Sequence, residues 1–152
     1  MHPMKYAHVE TERRFLIAAL PEHVTGTTDV VDRYLTGTRM RLREMTTDGQ
    51  VVRKLGQKIR LDGARRIAHT TLYLDDAEWS VLSQLPARRL HKRRHVIEHD
   101  GIAFAVDKHD DGTLIAELDG GEESPADPPA WLDVIREVTD DEAFTGGALA
   151  RE

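Results

Sequence analysis

Between Val9 and Ile17 the chain reads Val-Glu-Thr-Glu-Arg-Arg-Phe-Leu-Ile. Successive side chains of an extended strand alternate between faces. Glu10, Glu12 and Arg14 therefore point one way, and Val9, Thr11, Arg13 and Phe15 the other. Adjacent carboxylates repel unless a cation lies between them, and oxygen ligands of this kind suit a hard divalent metal. A solvated edge strand offers the same spacing, so the segment acquires meaning only from what the rest of the chain supplies.

The same alternation returns with the opposite charge. In Arg39-Met40-Arg41-Leu42-Arg43 three guanidiniums share one face, and Met40 and Leu42 take the other. Guanidinium forks match phosphate oxygens bidentately, which makes a polyphosphate a natural partner; an exposed edge strand protected by charge is the competing explanation. Lys92 and Arg94 repeat the pattern, and Lys54 and Lys58 supply a further basic strand. On the acidic side, Asp107 shares a face with the small residues Ala103 and Ala105, while Ile102, Phe104 and Val106 face the opposite way, an apolar side suited to cover by a helix. Glu117 and Asp119 likewise oppose Ala116 and Leu118. Burying so many charges is costly unless they pair or bind ligands. An open, wet, charged tunnel resolves the conflict.

Composition agrees with a local anion site rather than a basic exterior. The 152 residues carry 21 Lys and Arg but a net charge of -6, which argues against general affinity for nucleic acid. The length suits one domain spanning 1–152. Aromatic residues make up only 5%, so the core is mainly aliphatic. With no cysteine there is no disulfide, no thiolate zinc site and no cysteine nucleophile. No apolar run approaches the ~18 residues of a membrane span, and no signal-peptide segment is evident, so a cytoplasmic location is expected.

Strand patterns run over about 7–17, 29–35, 38–46, 50–58, 66–74, 89–98, 101–108 and 112–119. Turn chemistry at Thr47-Asp48-Gly49, Asp62-Gly63, Asp100-Gly101 and Asp110-Asp111-Gly112 joins several of them. A capping box at Asp75 and Glu78 predicts a helix carrying Trp79, Leu82 and Leu85 and stopped by Pro86. Asp127-Pro128-Pro129 predicts a second helix with Trp131, Leu132 and Ile135 on its apolar face, and Asp140 to Ala150 a short terminal one. The expected fold is α+β, mainly antiparallel β: an about eight-stranded, closed or nearly closed barrel with a few covering helices. His91, His95 and His99 are four apart, but on a strand they share the face opposite Lys92 and Arg94, which disfavours a metal role. Ser80 and Ser83 have no matched base, and the glycine pairs lack the Lys-Ser/Thr of a phosphate loop.

Taken in order, these motifs resemble the CYTH family of triphosphate tunnel metalloenzymes over nearly the whole chain. The residues that carry the resemblance are Glu10-Thr11-Glu12-Arg13-Arg14, Arg41-Leu42-Arg43, Lys54 or Lys58, Lys92-Arg93-Arg94, Asp107 and Ala116-Glu117-Leu118-Asp119. The resemblance implies a metal-dependent hydrolase of inorganic triphosphate or a related organic triphosphate. It further implies phosphate binding by Arg14, Arg41, Arg43, Lys54, Lys58, Lys92 and Arg94. Glu10, Glu12, Asp107, Glu117 and Asp119 would hold Mg²⁺ or Mn²⁺, and Glu12, Asp107 and Arg14 would serve catalysis. A class IV-type adenylate cyclase and a non-catalytic polyphosphate or nucleotide sensor are the alternatives. The expected partners are a small triphosphate-containing molecule and, as an assembly, a homodimer, with neither nucleic acid nor membrane. Two departures stand out: Arg14 occupies the place of a lysine, and Ala68-His69-Thr70-Thr71 stands where family members often carry Glu-x-Glu.

Overall fold

Each segment in which charged and apolar residues alternate is a strand in the computed structural model, which describes residues 4–62 and 65–152. In chain order these are β1 (His8–Ile17), β2 (Val24–Leu35), β3 (Met40–Thr47), β4 (Gln50–Asp62) and β5 (Arg66–Tyr73). After the helix α1 (Asp76–Leu82) come β6 (Ala87–His99), β7 (Ile102–His109), β8 (Leu114–Gly121) and β9 (Val134–Glu137). A 3-10 turn (Glu142–Phe144) and α2 (Gly146–Leu149) follow. The strands are ordered β5-β4-β3-β2-β6-β7-β8-β1, and β1 pairs back onto β5. Every pairing is antiparallel, and the result is a closed eight-stranded barrel with one added strand.

Turn chemistry sets the registers. Asp48 and Gly49 both have positive φ (50° and 78°), as do Asp100 and Gly101 (52° and 73°). Consecutive left-handed residues give the twist that two-residue hairpin loops need, and Asp-Gly tolerates it. The turns between β3 and β4 and between β6 and β7 are therefore fixed locally. Gly63 of the expected Asp62-Gly63 turn lies outside the described residues. β2 begins at Val24, earlier than its sequence pattern marks, because a register shift beside Gly26 lets Val24 pair with Ile97.

The main apolar cluster lies on the outside of the barrel wall. Phe15, Ile17, Ile97, Phe104, Val106, Ala116 and Leu118 form one buried cluster on β1, β6, β7 and β8. Alternation puts each of them on the face opposite Glu12, Arg14, Arg94, Asp107 and Glu117. The cover is supplied by the segment that follows β8, whose Leu132 is buried in the cluster.

That segment corrects one expectation. No helix follows Asp127-Pro128-Pro129; Trp131 and Leu132 sit in a turn, and Val134 to Glu137 form β9 on β1. The reason is an available edge. β5 pairs only with His8 to Thr11, leaving the outer half of β1 with free backbone groups, and β9 takes Phe15 to Ile17. The β-branched Val134 and Ile135 suit a strand better than a helix. Ile135, expected on an apolar helix face, is 58% exposed. The first helix does carry the expected capping box, with Asp75 accepting from the Glu78 backbone and Glu78 from that of Asp75. It ends at Leu82, so Leu85 falls outside it, and none of its residues is buried. The terminal helix is split into the 3-10 turn and α2. Among the described residues, no helix is long and apolar enough to cross a membrane.

Candidate functional site

The barrel encloses a cavity of about 490 Å³ into which the charged faces of the alternating strands point. β1 and β8 supply an acidic wall. Glu12 and Asp119 are cross-strand partners, as are Arg14 and Glu117. Oxygens of Glu12, Glu117 and Asp119 lie within 4.8 Å of one another. Burial, then the charge of Glu117, lifts the Glu12 carboxyl to about 7. Burial and Glu117 also lift Asp119, to about 6. Glu117 itself moves the other way: burial opposes its ionisation, but Lys58 and Arg94 outweigh it and hold it well below the usual range. Three carboxylates this close, Glu12 buried, Glu117 half-buried and Asp119 exposed, repel one another, and their oxygens form a donor set suited to a hard divalent cation. Glu10 lies outside this trio, with Oε1 3.2 Å from His69 Nδ1 and 3.5 Å from Lys58 Nζ.

β3, β4 and β6 supply a basic wall, held by two buried carboxylates. Asp32 on β2 is fully buried and accepts from Arg43 Nε at 2.6 Å and Arg43 Nη2 at 2.8 Å; Arg41 Nε is 3.8 Å away. Burial would raise the Asp32 pKa, yet the Arg43 fork brings it below its ordinary value. Asp107 on β7 accepts from Arg94 Nε at 2.8 Å and Nη2 at 3.0 Å, and Lys92 Nζ is 2.8 Å from its Oδ2. Burial again opposes ionisation, and Lys92 and Arg94 together hold Asp107 at about 2. Asp107 is thus committed to cations and stands outside the carboxylate trio.

The remaining cations are less satisfied. Arg41 Nε is buried with no hydrogen-bond partner among the described residues. Burial and the charges of Arg43, Arg41 and Arg94 push the Lys54 pKa down, and among the described residues no carboxylate pairs with it. Lys58 bridges the walls, with Nζ 3.3 Å from Glu12 Oε2. Arg14 also lines the cavity, but its guanidinium donates to the carbonyls of Phe144 and Thr139. It thereby fastens the C-terminal segment, whose Phe144, Thr145, Gly146, Gly147 and Leu149 line the cavity as well. Gly146 lies so close to Tyr34 that a Cβ there would run into the phenol oxygen.

All the predicted phosphate and metal residues therefore line one cavity, and sequence reasoning missed several residues in or behind its wall. Asp32 and Tyr34 share a face with the buried Val30, and Asp32 lies opposite Arg43 across the β2–β3 ladder, so alternation was the available signal. His109 follows Asp107 at the same spacing and is also buried in the lining. The three spaced histidines lie apart in function: His91 bridges Asp29 and Asp110, and His99 stacks on His23.

No protein-family profile matches the sequence, and no curated protein matches it. Solved structures do resemble it. The inorganic triphosphatase NE1496 superposes with a TM-score of 0.60 at 23% identity, covering 94% of this chain and 95% of its own. A conserved hypothetical protein from Pyrococcus furiosus (Pfu-838710-001) gives 0.58 at 17% identity, over 76% of this chain and 81% of that one. PH1819 from Pyrococcus horikoshii OT3 gives 0.54 at 14% identity, with 80% of each chain covered. At these identities the likeness is one of fold: a tunnel barrel of the kind found in a triphosphatase.

Proposed function

We propose that this chain is a metal-dependent hydrolase of inorganic triphosphate or a related organic triphosphate, the activity that the CYTH resemblance implies. One observation carries the proposal: a close carboxylate trio and a wall of guanidinium and ammonium groups face a single cavity. A site that bound phosphate alone would gain nothing from Glu12, Glu117 and Asp119, because carboxylates repel the ligand. NE1496, an inorganic triphosphatase with this fold, supports the same reading.

Glu12, Glu117 and Asp119 would hold Mg²⁺ or Mn²⁺, which when bound neutralises charge on phosphoryl oxygens. Arg41, Arg43, Lys54, Lys92 and Arg94 line the opposite wall and hold phosphate oxygens. Arg41 and Lys54, with the least counter-charge inside the protein, offer the most to an incoming anion. Asp32 and Asp107 orient the Arg43 and Arg94 forks before substrate arrives, which removes reorganisation from the reaction. Lys58, between the two walls, holds the phosphate chain next to the carboxylates. Arg14 acts mainly on the C-terminal segment that borders the cavity.

The deciding experiment measures phosphate release from triphosphate, ATP, pyrophosphate and thiamine triphosphate, each with Mg²⁺ and Mn²⁺. Turnover of triphosphate that requires the ion and is lost in Glu12→Gln is the expected result. Tight triphosphate binding without a divalent ion, and no release from any substrate, would overturn it in favour of a binding protein.

A further inference from the structure

Glu10 shares a strand face with Glu12 and yet has different company. Its Oε1 lies 3.2 Å from His69 Nδ1 and 3.5 Å from Lys58 Nζ. Lys58 in turn reaches Glu12 Oε2 at 3.3 Å. Along β5 the residues lining the cavity are Ile67, His69 and Thr71, and along β4 they include Gly56, Lys58 and Arg60. Among these none carries a carboxylate. A second divalent cation beside Glu10 would meet an ammonium group and, apart from Asp119, which feels the Glu10 charge but belongs to the trio, a single carboxylate, a donor set that the charge of Lys58 opposes.

Packing fixes the imidazole. A Cβ on Gly56 would come within 3.3 Å of His69 Nε2, so the ring occupies space that glycine leaves open on the neighbouring strand. Thr71 Oγ1 lies 3.4 Å from the same nitrogen. With Nε2 turned toward Gly56 and Thr71, Nδ1 is directed at Glu10. The ring therefore acts as a bracket that draws Glu10 to the β4–β5 side of the tunnel, next to Lys58.

We infer that His69 is a positioning residue that holds Glu10 against Lys58 and out of the cation's reach, so that the tunnel takes a single divalent ion on Glu12, Glu117 and Asp119. This rests on the function proposed above, in that the trio is taken to bind the ion. It goes beyond that function in fixing the number of ions and naming the residue that sets it.

The test titrates the purified full chain with Mn²⁺ alone and counts bound ions by the electron paramagnetic resonance of the free ion. The wild-type chain is expected to bind one Mn²⁺. Glu10→Gln should still bind one, with affinity within threefold of wild type, whereas Glu12→Gln should lose at least tenfold. His69→Glu should bind two, and His69→Gln, which keeps a donor toward Glu10, one. Two ions in the wild type, a tenfold loss in Glu10→Gln, or a count of one in a folded His69→Glu would each overturn the inference and leave the proposed hydrolase standing. No Mn²⁺ on the wild-type chain would overturn both.

Discussion

Replacing Asp32 by Asn probes the basic wall most directly. The side chain is fully buried, and its two oxygens take both donors of the Arg43 fork, at 2.6 and 2.8 Å. Asparagine keeps the shape but removes the carboxylate charge that faces both Arg43 and the more distant Arg41. Removing one partner of a buried pair typically costs roughly 3–5 kcal/mol, because the other charge stays desolvated without compensation. For a chain of this size about 2–4 °C of melting temperature accompanies each kcal/mol, so a fall of roughly 6–20 °C is expected. Urea unfolding gives the free energy and a thermal melt the temperature. A phosphate oxygen can replace the missing carboxylate as a counter-charge to Arg43, so saturating triphosphate should narrow the gap between variant and wild type. A loss below about 1 kcal/mol would place the pair among weakly coupled surface ion pairs and refute the reasoning.

Arg41→Ala should weaken triphosphate binding by at least tenfold in calorimetry, since charged hydrogen bonds contribute about 1.5–3 kcal/mol each. Asp107 supplies a pH test. Its carboxyl stands at about 2 in the folded chain against an ordinary 3.8, so its contribution is present above the ordinary value and lost as pH falls through about 2. The difference corresponds to about 2.4 kcal/mol, and Asp107→Asn should flatten the decline of urea stability between pH 4 and pH 2. Gly146→Ala forces a methyl group into the Tyr34 phenol and should cost about 1–3 kcal/mol or release the C-terminal segment, detectable as faster proteolysis after Thr139.

The barrel and most of its lining were legible because alternation works in both directions. A strand that repeats Glu-x-Glu-x-Arg or Arg-x-Arg specifies its own face, and in β1, β3, β6 and β8 that face lines the cavity. Asp-Gly turns supplied the hairpins, with Asp48-Gly49 and Asp100-Gly101 adopting the left-handed pairs they favour. What sequence could not supply was the partner of each charge. Nothing local tells Asp107 to seek Lys92 and Arg94 rather than the trio on β8 and β1, nor tells Glu10 to seek His69. Both choices arise from registers between strands. The misread helix at 127–135 has the same origin: the edge that draws β9 into the sheet exists only because β5 covers half of β1.

An apolar core worn on the outside of the wall divides the tunnel into unequal halves. The buried cluster braces β1, β6, β7 and β8, whereas Val51, Val52, Leu72 and Tyr73 of β4 and β5 are exposed. The braced half carries Glu12, Glu117 and Asp119 and, on β6, Lys92 and Arg94; the other carries Arg41, Arg43, Lys54 and Lys58. Amide hydrogens should accordingly exchange slowest along β1 and β8 and fastest along β4 and β5, so that the barrel breathes at the strands of Lys54, Lys58 and His69 while the carboxylate trio, Lys92 and Arg94 stay still.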